Sequence, residues 1–447
     1  MVVLGAGSSG EHFVGALRQL DRHVEIVVVE RGLAGGECSY YACIPTKTLL
    51  RPGDVLAAAR LAPGAAEAVT ALDTSRVFWW RDQVTDSRDD SWHAKWIADQ
   101  GAELVRGEAR VARPGVVAVG EREIEYRDLV VATGSSPAVP AVEGLDDVDY
   151  WTNREAVWAN AVPESVVVLG GGPVGVELAQ LFHRMGAQAT IVEPSDHLLA
   201  RVDSEAGELL RERFGEEGID VRVGARADRV EAVDSGIRVL LSSGKAIEAE
   251  RLLIATGRRP NVDGLGLEQL DVELTKRGIT VDKRMRAGEG VWAIGDPTGV
   301  ALLTHVGKYQ ARVAAANIAG REYVADYRAI PASVFTDPQV ATVGDTKSDG
   351  LVTATYRIEG GRLSTYERPK RSGLLKLAAD ADRRVVVGAV AVGPEAGEWM
   401  GQLTLAVRAE VPLEVLLDTI QPYPTFSEAI FSALKELDGR LRSRNSE

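Results

Sequence analysis

The sequence predicts an α/β protein: two Rossmann-like dinucleotide-binding domains followed by a C-terminal α+β domain. Three observations carry this expectation. A glycine fingerprint occurs twice, a second motif follows each copy, and residues 331–447 contain neither. The first copy, VVLGAGSSG at 2–10, is an apolar run followed by G-x-G-x-x-G at Gly5, Gly7 and Gly10. Only Val2–Leu4 forms that run, which is short for a central parallel strand. The second copy, VVVLGGGPVG at 166–175, places Gly170, Gly172 and Gly175 at the same spacing. After each copy come a helical pattern and a β-rich run ending in an acid, EIVVVE at Glu30 and ATIVE at Glu193. Then LVVATGSSP (129–137) is echoed by LLIATGRRP (252–260).

A single glycine-rich turn is common, but here each copy follows a strand, opens a helix and reaches an acid about 20 residues later. Such glycines permit a tight turn, close approach of a pyrophosphate and close helix–strand packing. The helix N-terminus offers N–H groups and the positive end of its dipole to phosphates. The acid accepts hydrogen bonds from ribose hydroxyls. Residues 331–447 read differently. They run from PASVFTDPQVATVG through the strand-like LLKLAAD and VVVGAVAVG to two helical patterns, and they form a third domain with another task.

A chain of 447 residues accommodates two to four domains, each with its own core. The net charge of -14 argues against a nucleic-acid or anionic-membrane surface, which needs clustered Lys and Arg. The N-terminal residues show no basic stretch leading into an apolar segment, and no apolar run approaches the roughly 20 residues that span a bilayer. We expect a cytoplasmic protein with neither nucleic-acid nor membrane partners.

The only two cysteines, Cys38 and Cys43, lie in GGECSYYACIPTK (35–47). On one regular helix, residues five apart are rotated by about 140° and separated by about 7.5 Å along the axis. A disulfide requires Cα atoms within about 7 Å. Cys38 is therefore expected just before, or at a distorted start of, a helix that carries Cys43. Pro45 suits a first turn. A thiol at a helix N-terminus is acidified and reactive. A structural zinc would need four ligands, and no further cysteine or histidine pair completes the set. Two inert buried thiols remain the alternative.

The stretch G-G-x-C-x-x-x-x-C-I-P-[ST]-K after the first nucleotide unit resembles the redox-active disulfide of the class I pyridine nucleotide–disulfide oxidoreductases, the family of lipoamide dehydrogenase, glutathione reductase and mercuric reductase. The resemblance spans the chain. It implies an FAD domain from residues 1–145 and 264–330, an NAD domain from 146–263, and a dimerisation domain from 331–447. FAD would contact Gly5, Gly7, Gly10, Glu30, Arg31, Gly36, Glu37, Cys38, Lys47, Ala109, Thr133, Gly134, Leu303, Thr304 and His305. Asp296 in WAIGDPTG would hold the ribityl chain. NAD would contact Gly170, Gly172, Gly175 and Glu193, with Gly257 and Arg258 also at the cofactors. The resemblance makes Cys43 the flavin-facing thiol and Cys38 the interchange thiol. Lys47 and Glu177 fall where the family keeps an ion pair beside the flavin. A carboxylate at Glu193 accepts ribose hydroxyls and repels a 2'-phosphate. Arg201 is the nearest arginine in the loop where NADPH-using members carry theirs, so NADH is expected in preference to NADPH.

The family's last signature, H-x-H-P-T-x-x-E, is broken here. QPYPTFSEAI keeps Pro424, Thr425 and Glu428 but has Gln421 and Tyr423 in place of the histidines, and no histidine follows His305. Tyrosine ordinarily titrates near 10 and histidine near 6.5, so tyrosine is a poor proton acceptor at neutral pH. By resemblance Tyr423 and Glu428 come from the second subunit of a homodimer. We read Tyr423 as lining the dithiol pocket, with simple interface packing as the alternative. Tyr40 and Tyr41, between the cysteines, either shape the substrate mouth or merely pack.

The leading expectation is a homodimeric FAD enzyme that oxidises NADH and reduces a small acceptor, other than lipoamide or glutathione, through Cys38 and Cys43. The alternatives are an NAD(P)H:quinone or oxygen reductase working directly from the flavin, a mercuric-reductase-like protein lacking the C-terminal cysteine pair, and a redox-sensing binding protein.

Overall fold

The computed structural model describes residues 1–359, 362 and 373–444. The chain divides into two compact units. The first comprises Met1–Thr48, Phe78–Ala138 and Gly257–Asp326, and the second Leu49–Val77, Val139–Thr256 and Tyr327–Glu447.

The first unit is built on a six-stranded sheet. Its order is Arg286–Gly288, Val291–Ala293, Leu129–Val131, Val2–Leu4, Val27–Glu30 and Glu103–Arg106, parallel except at the first pair. The short strand Val2–Leu4 is central after all. Val3 pairs with Val28 on one side and Val130 on the other, and all three of its residues are buried. Strands covered on both faces are continuously apolar, which is why VVL and LVV suffice at three residues each. Val2, Leu4, Val29, Val131 and Ala293 share a core with Val111, Val117, Leu267 and Ile279.

The second unit repeats this plan. Its parallel sheet runs Asp220–Val223, Gln188–Glu193, Ser165–Leu169 and Arg251–Ile254. In both units the fingerprint strand lies between the strand ending in the acid and the strand leading into the ATG motif. The repeat reaches further than the motifs. A three-stranded antiparallel sheet interrupts each unit before its ATG strand: Ala109–Arg113, Val116–Val119 and Arg122–Glu125 in the first, and Ala227–Val233, Gly236–Leu241 and Ala246–Ala249 in the second.

The second unit also contains a five-stranded antiparallel sheet: Pro331–Val334, Gln339–Gly344, Val385–Gly393, Gly373–Asp380 and Val352–Ile358. Helices Ala396–Ala409 and Glu428–Arg444 bury Leu403, Ala433, Leu434 and Leu437 against it. Within this unit the buried Arg184 guanidinium meets Asp54 Oδ1 at 2.6 Å, Glu217 Oε1 at 2.5 Å and Asp337 Oδ2 at 2.9 Å. A buried cation is tolerated only when so surrounded. Among the described residues no helix is long and apolar enough to cross a membrane.

Candidate active site

The two fingerprints fold into the same local geometry. Gly5 (φ +104°) and Gly170 (φ +111°) turn the chain in the left-handed region, and a Cβ on either would lie 2.5 Å from Ala132 O or 2.4 Å from Ala255 O. The third glycine of each copy sits under the turn. A Cβ on Gly10 would fall 2.0 Å from Gly5 O, and one on Gly175 1.9 Å from Gly170 O. Packing within the chain therefore explains the first and third glycines. It does not explain Gly172, which has extended backbone at φ -77° and nothing within 4 Å of its would-be Cβ. A glycine that the chain itself does not need, at the N-terminus of helix Pro173–Met185, leaves room for a ligand. A pyrophosphate fits that opening and its N–H groups. The equivalent Gly7 precedes helix Ser8–Leu20, where its would-be Cβ meets only Gly36 Cα at 3.8 Å.

Each acid is held by its own turn. Glu30 accepts from Ala6 N at 2.8 Å and Gly32 N at 2.7 Å, while Glu193 accepts from Gly171 N at 2.6 Å and Ser195 N at 2.8 Å. Every carboxylate oxygen keeps a further lone pair, so both acids can still accept ribose hydroxyls. Arg31 is exposed and faces Glu108 at 3.6 Å. Ala109 begins the antiparallel insert, paired with Val119. Arg201 is exposed.

The cysteines occupy two successive helical pieces. Cys38 lies in the short helix Gly36–Tyr40, and Cys43 opens helix Cys43–Leu61 with Pro45 in its first turn. The break at Tyr41 and Ala42 supplies the distortion that the spacing demanded. Both cysteines are half-buried free thiols. Cys43 Sγ lies 3.4 Å from Thr304 Oγ1, at the start of helix Thr304–Ile318. The Cys38 thiol donates toward Cys43 and pushes the Cys43 pKa down to about 6. Thr304 and the Lys47 charge assist, against the opposing effect of burial. The same hydrogen bond, with burial, pushes Cys38 up. One proton is thus held on Cys38 while Cys43 carries the charge. Iodoacetamide should then alkylate Cys43 of the dithiol form with a midpoint near pH 6, against about 8.5 for an ordinary thiol. Rates measured across pH with mass-spectrometric assignment check this, and a midpoint of about 8.5 would refute it.

Of the remaining positions that the sequence assigns to FAD, Thr133 and Gly134 are tied to one loop. Thr133 Oγ1 donates to Asn261 O at 2.6 Å and Asn261 N donates to Gly134 O at 2.9 Å. Asp296 accepts from Ser135 Oγ at 2.5 Å, and burial pushes its carboxyl up. Leu303 immediately precedes the helix that Thr304 starts, and His305 is exposed. Glu37 lies 3.3 Å from Arg258, and Gly257 is exposed at φ +136°. Lys47 belongs to the first unit and Glu177 to the second, where buried Glu177 accepts from Phe335 N at 2.9 Å. Glu428 heads its helix and accepts from Thr425 N at 2.7 Å, which fixes the turn after Tyr423. Tyr423 itself is 79% exposed.

Sequence reasoning missed several contributors. Ser135 and Gln310 are buried polar residues; Gln310 Oε1 accepts from Gly295 N at 2.6 Å, in the loop that carries Asp296. Gly307 lets helix Thr304–Ile318 approach helix Ser8–Leu20, since its would-be Cβ would fall 2.1 Å from Ser9 Oγ. His93 Nδ1 meets Glu11 Oε1 at 2.7 Å, and its ring fills the space where Gly35 has no side chain. The Tyr40 ring is buried edge-on to His93 at 5.8 Å, and its hydroxyl donates to Asp89 O at 3.2 Å. For Tyr40 this is the packing alternative. The one local signal was the pair of polar residues following each ATG.

Residues 1–319 match the family described as pyridine nucleotide-disulphide oxidoreductase, and residues 330–434 match its dimerisation domain. Dihydrolipoyl dehydrogenase 2 of Haloarcula marismortui is 34% identical, over 97% of this chain and 95% of its own length. Mercuric reductase of Bacillus cereus is 32% identical, over 97% of this chain and 70% of its own length. Among solved structures, LpdA from Mycobacterium tuberculosis superposes with a TM-score of 0.85 at 26% identity, covering 98% of this chain and 99% of that one. The flavoprotein disulfide reductase RclA from Escherichia coli shares the fold, with a TM-score of 0.84 at 23% identity over 97% of this chain and 99% of that one.

Proposed function

The chain belongs to the pyridine nucleotide-disulphide oxidoreductase family, and on that premise we propose that it oxidises NADH and passes two electrons through Cys38 and Cys43 to a small acceptor other than lipoamide or glutathione. The family is FAD- and NAD(P)-dependent, its members are oxidoreductases, and the dimerisation domain supports a homodimer. The observation that carries the reading is the asymmetric thiol pair: Cys43 acidic at a helix start against Thr304, and Cys38 protonated beside it.

FAD, when bound, supplies a two-electron relay between nicotinamide and thiols. The chain's own residues do the rest. A hydride equivalent carries two electrons and one proton. Breaking the Cys38–Cys43 disulfide with it leaves one thiol and one thiolate, which is the protonation state this pair favours at neutral pH. Lys47 adds positive charge that holds the thiolate. Cys38 then attacks the acceptor, and its proton must leave. Glu193 favours NADH, because a carboxylate fixed at the end of its strand repels a 2'-phosphate. The FAD, NAD and dimerisation domains take the residues assigned to them from the sequence, with a cytoplasmic location.

The choice of acceptor rests on Tyr423. Its exposure on a single chain suits a side chain presented to a second subunit, and Glu428 is spent on the Thr425 backbone as a cap rather than orienting a base. With no histidine to take the proton of Cys38, exchange with ordinary dithiols should be slow. Tyr423→His is therefore expected to raise the rate of dihydrolipoamide oxidation by about 100-fold, the lower end of what a positioned acid–base adds. Steady-state rates with dihydrolipoamide and NAD+ test this, and an unchanged rate would remove Tyr423 as the reason for excluding lipoamide.

A further inference from the structure

We propose that Arg258 and Glu37 are positioning residues for Asp296. They act through Ser135 to keep one oxygen of that carboxylate an acceptor and leave the other for a ligand hydroxyl. This rests on the flavin reading above. Ser135 and Arg258 occupy the same place in the duplicated motif, the first residue after ATG in LVVATGSSP and LLIATGRRP. The two stretches come together as the antiparallel strands Ser135–Pro137 and Arg258–Pro260, with Ser135 opposite Pro260 and Arg258 opposite Pro137, and the Arg258 side chain reaches back along the pair to Ser135.

The hydrogen bonds run in a fixed direction. Arg258 Nε donates to Ser135 Oγ at 2.8 Å, and Arg258 Nη2 donates to Ser135 O at 2.7 Å. Guanidinium has no acceptor and a serine hydroxyl has one proton, so that proton must go to Asp296 Oδ2 at 2.5 Å. Asp296 Oδ2 is thereby committed to accepting. Arg258 is itself anchored by Glu37 at 3.3 Å, the residue that precedes Cys38. Serine, arginine and the two acids are buried or nearly so, a setting in which each charge strongly affects the next. This series of contacts thus joins the short helix that bears Cys38 to the carboxylate assigned to the ribityl group.

The charges at either end oppose one another. The ionisable groups acting on Asp296 are Arg258, which favours its ionised form, and Glu37, which disfavours it. Burial has already pushed the Asp296 carboxyl up, so it gains a proton at a higher pH than an ordinary aspartate as the solution is acidified. Removing Arg258 raises it further, and removing the Glu37 charge lowers it.

The test follows flavin release from the holoprotein on acidification, read by flavin fluorescence. Arg258→Met is expected to move the release midpoint to higher pH by about 1 unit, the effect of losing a neighbouring opposite charge. Glu37→Gln is expected to move it to lower pH by a smaller amount, and Arg258→Lys to restore most of the wild-type midpoint. A purely structural role would shift both charge variants in the same direction, toward easier release, and that result would overturn the proposal. If Arg258→Met does not fold, Glu37→Gln decides alone: a lower midpoint supports the proposal, and an unchanged or higher one overturns it. Wild-type protein that carries no flavin overturns the flavin reading and this proposal with it, and is recognised before any variant is made.

Discussion

Cys43→Ser is expected to abolish acceptor reduction through the thiol pair, by on the order of a thousand-fold or more, while the protein continues to bind its cofactors and to oxidise NADH with an artificial quinone. The size of the effect follows from the chemistry. Cys43 is the member of the pair that carries the charge, with its pKa pushed down to about 6 by the Cys38 thiol, Thr304 and Lys47. Serine is nearly isosteric and leaves the helix start and the Thr304 contact in place, yet it cannot form or break a disulfide. Cys38→Ser should lose the same activity for a different reason, because the attacking group is gone. Steady-state rates with NADH and each acceptor separate the two routes. If either serine variant retains full activity toward the physiological acceptor, electrons leave the protein without the thiols, and the quinone or oxygen reading replaces the one proposed here.

Gly175→Ala should have the largest effect on nucleotide binding. The added Cβ would lie 1.9 Å from Gly170 O and 3.3 Å from Val168 Cγ1. A backbone carbonyl within a tight turn cannot swing aside, so helix Pro173–Met185 must move off its strand and carry its N-terminal N–H groups with it. Overpacking of this kind costs about 3 kcal/mol, the upper end of the usual range. We expect lower thermal stability and a nicotinamide KM at least about 10-fold higher, with flavin retained. Gly10→Ala meets Gly5 O at 2.0 Å and should cause the converse loss, of flavin. Calorimetry, flavin content and KM distinguish the pair. Equal loss of both cofactors in each variant would contradict the assignment of one fingerprint to each nucleotide.

Much of this architecture was legible because its causes are local. A glycine that must turn left-handed, a second that must clear its carbonyl, and an acid that returns to the same turn all lie within about thirty residues of each other, and both copies show them. The break before Cys43 was legible from helix geometry taken together with the reach of a disulfide, whereas the separate short helix Gly36–Tyr40 that carries Cys38 was not. What stayed hidden depends on distant partners. Ser135 reaches Asp296 across 161 positions, and His93 reaches Glu11 across 82. No spacing rule marks such pairs. The antiparallel inserts escaped notice for another reason. Their strands are mostly four to seven residues long, and REIE or AIEA carry too few apolar residues to stand out between turns. Tyr40 was ambiguous because a tyrosine beside a reactive cysteine looks the same in sequence whether it faces substrate or, as here, His93.

The most direct test of the central claim, that electrons from NADH reach Cys38 and Cys43, is to count alkylated cysteines before and after anaerobic addition of one equivalent of NADH to the oxidised holoprotein. No alkylation is expected before NADH, and both cysteines are expected to be modified after it, Cys43 faster than Cys38. Cysteines that label equally with and without NADH would contradict it.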